Sequence, residues 1–103
     1  MLIDHSILSG LTPICQKHKV NELYLFGSMA TGHSDEESDV DLLVKFGDIN
    51  LFDYFDNYVG LKTKLEALFN KPVDLVEDQA IRNPIFRKVV DREKKLLYGR
   101  KDR

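Results

Sequence analysis

The stretch between Leu23 and Val44 constrains the fold of this 103-residue chain more than any other. Two short apolar runs, residues 22–26 and 39–45, have the length and composition of β-strands. A glycine turn and a polar loop separate them, and the second run begins with aspartates at alternate positions. This arrangement favours a phosphate site beside a metal site.

Residues 4–18 carry the apolar stripe of a helix, on which the single cysteine, Cys15, is expected to be a core residue. Gly10 and Pro13 interrupt the stripe. Because an interior proline removes a hydrogen bond and clashes with the preceding turn, we predict a helix, a break and a second short helix capped by Thr12.

Beyond the second strand the pattern predicts two more helices and one more strand. A long helix is expected to begin after Asn50 and to end before Pro72, since the residue before proline disfavours helix. Residues 73–77 are predicted to form a third strand, and residues 83–98 are predicted to be mostly helical. The order of elements predicts one α/β domain, residues 1–103, with a small mixed sheet flanked by helices.

Composition and charge narrow the classes of function. No apolar run reaches the length of a membrane span, and the N-terminus has no basic region followed by an apolar one, so we expect a soluble, cytoplasmic protein. Residues 1–86 have a net charge of −7 and residues 87–103 a net charge of +5. We interpret the basic tail as a solvated helix face and expect no nucleic-acid partner; contact with RNA or an acidic protein is the alternative.

Aspartates within the strand pattern are candidate metal ligands. Asp39 and Asp41 project from the same face of their strand, about 6 to 7 Å apart, so their like charges must face water or share a cation. Mg²⁺ suits them because it prefers hard oxygen ligands. Asp74, a polar residue within the third strand, is the natural third ligand if that strand lies beside the second. A structural carboxylate satisfied by hydrogen bonds is the alternative for Asp74.

The turn after the first strand is a candidate phosphate site. Gly27 and Ser28 follow a strand and precede a short predicted helix, which leaves backbone N–H groups to meet an anion. Gly27 lets the backbone come close, and Ser28 can add its hydroxyl. Alone this pair is a weak signal that is typical of an ordinary helix cap. It is not a Walker loop, because the Gly-Lys-Ser/Thr ending is missing.

Taken together, these motifs resemble a known family. Gly27-Ser28, ten intervening residues, Asp39 and Asp41 in a strand, and the later Asp74 resemble the signature of the DNA-polymerase-beta-like nucleotidyltransferase superfamily. The chain is similar in particular to the minimal nucleotidyltransferase (MNT) antitoxins, which pair with HEPN-domain toxins. The resemblance runs from about residue 3 to Gly99. Its landmarks are Leu25-Phe26-Gly27-Ser28, Ser38-Asp39-Val40-Asp41, Val73-Asp74-Leu75-Val76 and Leu97-Tyr98-Gly99.

The resemblance implies a Mg²⁺-dependent enzyme that transfers AMP from ATP to a hydroxyl of a HEPN-type toxin. The expected acceptor is a tyrosine hydroxyl. Such a chain would be the antitoxin. The resemblance further implies that Gly27 and Ser28 bind the triphosphate, and that Asp39, Asp41 and Asp74 bind the metal and are catalytic. In-line displacement needs little beyond positioning and charge neutralisation, which two metal ions supply.

Two other functions remain open at this point. Met29 and Thr31 occupy positions where the family often has basic residues, which favours an antitoxin that neutralises its partner by binding alone. A nucleotidyltransferase for a small molecule is the third hypothesis. Because the predicted strands and helices account for the whole sequence, a second wall for the nucleobase and acceptor is expected from another protein or from a homodimer.

Overall fold

The computed structural model describes residues 3–27 and 39–99. Its elements in chain order are α1 (His5–Lys17), β1 (Val20–Phe26), β2 (Val40–Phe46), α2 (Leu51–Phe69), β3 (Val73–Glu77), a 3-10 helix (Asp78–Ala80), α3 (Pro84–Glu93) and β4 (Lys95–Gly99). The predicted α/β class is confirmed. Within the described part of the chain, no helix is both long and apolar enough to span a bilayer.

The strands form one four-stranded sheet in the order β3-β2-β1-β4. Strand β1 runs antiparallel to β2 and β4, whereas β2 and β3 are parallel, so the predicted mixed sheet is confirmed. A parallel pair needs a crossover connection, which α2 supplies. The prediction that residues 83–98 are mostly helical is confirmed for α3 and wrong for residues 95–98, which belong to β4. The apolar run of β4 is short enough to fit either structure, and pairing with β1 makes it a strand.

The helices cover the two faces of the sheet unequally. Helices α1 and α2 pack over the larger core, to which β2 contributes Val40, Leu42 and Val44. On the opposite face, Leu43 belongs to a smaller cluster with Val90 of α3. Because side chains alternate along a strand, Asp41 faces the same side as Leu43. The predicted alternation along the second strand is confirmed.

Helix α1 is continuous, so the predicted break at Gly10 and Pro13 is wrong, and Thr12 is not a helix cap. The helix begins at His5 and is capped by Asp4, whose Oδ1 accepts a hydrogen bond from the N–H of Ile7 at 3.0 Å. Its inner face buries Leu11 and Cys15 completely. This packing compensates for the hydrogen bond that the exposed Pro13 cannot donate.

Side chains of α2 fix the position of β3. The Tyr54 hydroxyl donates to Oε2 of Glu77 at 2.7 Å, and the Tyr58 hydroxyl donates to the carbonyl oxygen of Leu75. At the other end of the strand, the N–H of Val73 donates to Oε2 of Glu66 at 3.0 Å. These bonds hold β3 from its first residue to its last against the helix that precedes it.

Candidate active site

The register of the parallel strands places Asp41 opposite Asp74. Pairing starts one residue earlier, where Val40 pairs with Val73 and the N–H of Val40 donates to the carbonyl oxygen of Pro72 at 3.0 Å. Residues paired in this way project from the same face of a sheet. The structure therefore brings these two predicted site residues together, on the face of the sheet that carries α3.

Asp39 lies one residue before β2, which begins at Val40 rather than at the predicted position 39. The side chains of Asp39 and Asp74 are exposed, and that of Asp41 is half-buried. Burial raises the pKa of Asp41 above its usual value, and the negative charges of Asp74 and Asp39 raise it further. Both neighbouring carboxylates therefore act on Asp41, and a cation among them would relieve the repulsion.

Gly27 ends the first strand with a positive φ of 77°. A β-carbon at this position would lie 2.2 Å from Oδ2 of Asp41, so only glycine allows the turn to pass so near the carboxylate. The sequence predicted a close approach of Gly27 to a phosphate, whereas the close approach that the structure describes is to Asp41. Ser28 lies outside the described residues, as do Met29 and Thr31.

The donor set fits a hard divalent cation in its chemistry. Carboxylate oxygens are the ligands that Mg²⁺ prefers, and Asp39, Asp41 and Asp74 share one end of two adjacent strands. In residues 3–27 and 39–99, no three His, Cys, Asp or Glu side chains are already grouped closely enough to hold a metal ion. The three aspartates are thus suited to Mg²⁺ by type and placement rather than as a preformed cluster.

An aromatic pair beside the carboxylates was not predicted as part of the site. Phe26 pairs with Asp41 in the antiparallel register of β1 and β2. The ring of Phe26 also contacts that of Phe86 in α3, with centroids 6.1 Å apart and planes at 69°. Phe86 lies within residues 83–98, which the sequence predicted to be mostly helical, and the pattern did not assign it to the site. No spacing signal connects positions 26 and 86, which meet because α3 packs on this face of the sheet.

Comparison with known proteins places the chain in a family. Residues 10–103 match the family described as polymerase beta, nucleotidyltransferase. MJ1379 of Methanocaldococcus jannaschii, provisionally assigned as a protein adenylyltransferase, is 40% identical over 82 residues, covering 80% of this chain and 79% of that protein. The protein adenylyltransferase MntA of Thermococcus cleftensis is 36% identical over 75 residues, or 73% of each chain.

Solved structures share the fold. A provisionally identified minimal nucleotidyltransferase superposes with a TM-score of 0.72 at 31% identity, covering 87% of this chain and 88% of that one. A chain of a toxin–antitoxin crystal structure with AMP-PNP gives a TM-score of 0.68 at 24% identity, covering 91% of this chain and 74% of that one. The chain described here therefore belongs to the polymerase beta nucleotidyltransferase family, among the minimal nucleotidyltransferases that include MntA.

Proposed function

We propose that this chain transfers AMP from ATP to a tyrosine hydroxyl of a HEPN-domain toxin, with Mg²⁺ as the metal, and thereby acts as the antitoxin. The proposal rests on the register of the parallel strands β2 and β3, which pairs Asp41 with Asp74, and on Asp39, two residues before Asp41. The protein adenylyltransferases among its relatives support AMP as the transferred group. ATP as the donor agrees with the cytoplasmic location expected from the sequence.

The chain's own residues would position the reactants. Asp39, Asp41 and Asp74 would hold Mg²⁺, and Gly27 and Ser28 would approach the phosphates. When bound, Mg²⁺ supplies charge neutralisation and a lowered pKa for the attacking hydroxyl. The hydroxyl oxygen bonds to the α-phosphorus as the bond to the bridging oxygen breaks in line. Pyrophosphate leaves, and the hydroxyl proton is lost to solvent.

An exposed apolar face supports a protein partner. The first half of α2 exposes four large apolar side chains: Leu51 (86%), Phe52 (94%), Phe55 (72%) and Val59 (43%). Apolar patches of this kind mark protein–protein contacts. Residues 49–61 include the acids Asp53 and Asp56 and no base, so a second copy would set like charges against one another. A different protein with an apolar patch and basic flanks fits this face better.

Neutralisation by contact alone is a second candidate function. The same exposed face of α2 favours it, because a partner could be bound there without use of the carboxylates. The two functions differ in whether the aspartates are needed. Variants of the aspartates therefore separate the two functions.

The experiment is transfer of label from ATP to the product of the neighbouring gene, the candidate HEPN protein, in the presence of Mg²⁺. Label at the α-phosphate should enter the partner, whereas label at the γ-phosphate should not, because pyrophosphate leaves. Asp39→Ala and Asp41→Ala should abolish incorporation, and the control Asp48→Ala, at an exposed acid in the turn after β2, should retain it. Incorporation that persists in the Asp39 and Asp41 variants would overturn the proposal. Neutralisation without any label would support contact alone.

A further inference from the structure

We propose that Phe86 forms the surface on which the base of the donor nucleotide stacks. The inference rests on the proposed function, since it takes the aspartates to mark the position of the triphosphate. Phe86 lies in the first turn of α3, and its side chain is 40% exposed. Phe86 would give this chain its own wall for the base. From the sequence, that wall was expected to come from another protein or a second copy.

The register of the sheet brings the ring close to the carboxylates. Phe26 pairs with Asp41 across β1 and β2, and α-carbons in such antiparallel pairs are about 4.5–5.5 Å apart. Phe26 belongs to the cluster on the α3 side of the sheet, the side that Asp41 also faces. Phe86 packs on Phe26 from above, with centroids 6.1 Å apart. The ring of Phe26 therefore separates Phe86 from the carboxylate end of the sheet. In a nucleotide, the ribose separates the base from the α-phosphate in the same way.

The two rings have different roles in this pair. Phe26 is only 8% exposed and can serve as a support but not as a stacking surface. The planes meet at 69°, an edge-to-face arrangement, which leaves at least one face of each ring uncovered by the other. Phe86 thus has both the backing and the exposed area that a base needs. Stacking on an aromatic ring suits any base, since every base has a π-face.

A cap on the helix and the side chain of the next residue hold the turn that carries Phe86 in place. Oδ1 of Asn83 accepts hydrogen bonds from the N–H groups of Ile85 at 2.8 Å and Phe86 at 3.0 Å. On the other side, Arg87 donates to Oδ1 of Asp78 at 2.8 Å and to its carbonyl oxygen at 2.7 Å. A platform held in this way needs little ordering when a ligand arrives, and this preorganisation favours binding.

The test compares the binding of Mg-ATP with that of Mg-tripolyphosphate, which lacks base and ribose, by calorimetric titration. Phe86→Ala should weaken ATP binding by about tenfold or more, the range that stacking on an aromatic ring produces, and should leave tripolyphosphate binding unchanged. Phe86→Trp should retain ATP affinity. The matched control is Leu8→Ala, because Leu8 is 38% exposed, close to the exposure of Phe86, and lies on α1, which packs on the opposite face of the sheet. It should alter neither affinity.

Phe86→Leu guards against a folding defect, because it keeps an apolar side chain on Phe26 while removing the aromatic face. It should melt like the wild type and still lose ATP affinity. Unchanged ATP affinity in Phe86→Ala and Phe86→Leu would overturn the inference. An equal loss of affinity for ATP and for tripolyphosphate would overturn it as well. Slower transfer to the partner at unchanged ATP affinity would also overturn it and would assign Phe86 to the acceptor site. Wild-type protein that binds neither ligand would overturn the proposed function together with this inference.

Discussion

Gly27 and the carboxylate of Asp41 lie next to each other where β1 ends and β2 begins. A β-carbon on residue 27 would lie 2.2 Å from Oδ2 of Asp41, and the φ of 77° at Gly27 is in the region that favours glycine. The glycine of the turn and the central carboxylate of the site are therefore one structural unit. A change at either position acts on the other.

Gly27→Ala should displace the Asp41 carboxylate and strain the backbone. We expect AMP transfer to fall by about 100-fold, the cost of an ångström-scale misplacement, and stability to fall by about 1–2 kcal/mol. Label transfer and urea unfolding measure the two effects. Gly47→Ala is the control, because its added β-carbon would lie 3.0 Å from Oδ1 of Asn21 and 3.5 Å from the carbonyl oxygen of Lys19, without the 2.2 Å overlap found at Gly27. Full activity in Gly27→Ala would refute this coupling.

Asp74→Asn separates a functional carboxylate from a structural one. Because Asp74 is exposed and adds to the repulsion on Asp41, its neutralisation should raise stability slightly, by less than about 1 kcal/mol. Transfer should fall by about 100-fold or more if the carboxylate acts on the reacting charge. Thermal unfolding and label transfer should be compared with Asp48→Asn. Destabilisation together with normal transfer would instead assign Asp74 a structural role.

The double variant Phe52→Asp, Phe55→Asp should weaken binding to the HEPN partner by about 30-fold or more, since buried aromatic side chains dominate such interfaces. ATP affinity should not change, because both residues are on α2, which packs on the face of the sheet opposite the carboxylates. Surface plasmon resonance against the partner measures the effect. Leu8→Asp, at a 38% exposed apolar residue of α1, is the control. Wild-type partner affinity in the double variant would exclude this face as the contact.

Stability should fall at alkaline pH because of Cys15. Burial raises the pKa of this thiol from 9.0 to about 12. The unfolded thiol ionises above about pH 9 while the folded thiol stays protonated, so its contribution is complete below pH 9 and is lost as pH rises towards 12. Between pH 8 and pH 10 the wild type should lose about 1 kcal/mol more than Cys15→Ala in urea unfolding. Equal losses in the two proteins would count against this assignment.

Local pattern was enough to predict part of the fold and of the site. Alternation along β2 separated Asp41 from the core, and a polar residue between two apolar residues in β3 pointed to Asp74. Continuity of α1 through Pro13 depends on packing against α2, and the short apolar run of β4 becomes a strand by pairing with β1. Long-range contacts decide both features, and neither follows from composition or periodicity.

The same limit applies at the site. The closeness of Gly27 to Asp41 follows from the register of β1 against β2, which the sequence does not encode locally, and the approach of Gly27 to a phosphate stays a prediction. Phe26 and Phe86 are likewise brought together only when α3 packs on the sheet. The sequence therefore singled out the charged residues, whose type indicates their chemistry, but it did not connect the two aromatic rings, which meet only in the folded chain.

The most direct test of AMP transfer is the intact mass of the HEPN partner after incubation with this chain and Mg-ATP. We expect a gain of one or more AMP groups with the wild type and with Asp48→Asn, and no gain with Asp41→Asn. A partner that is bound and neutralised by the wild type without any change in mass would contradict the account.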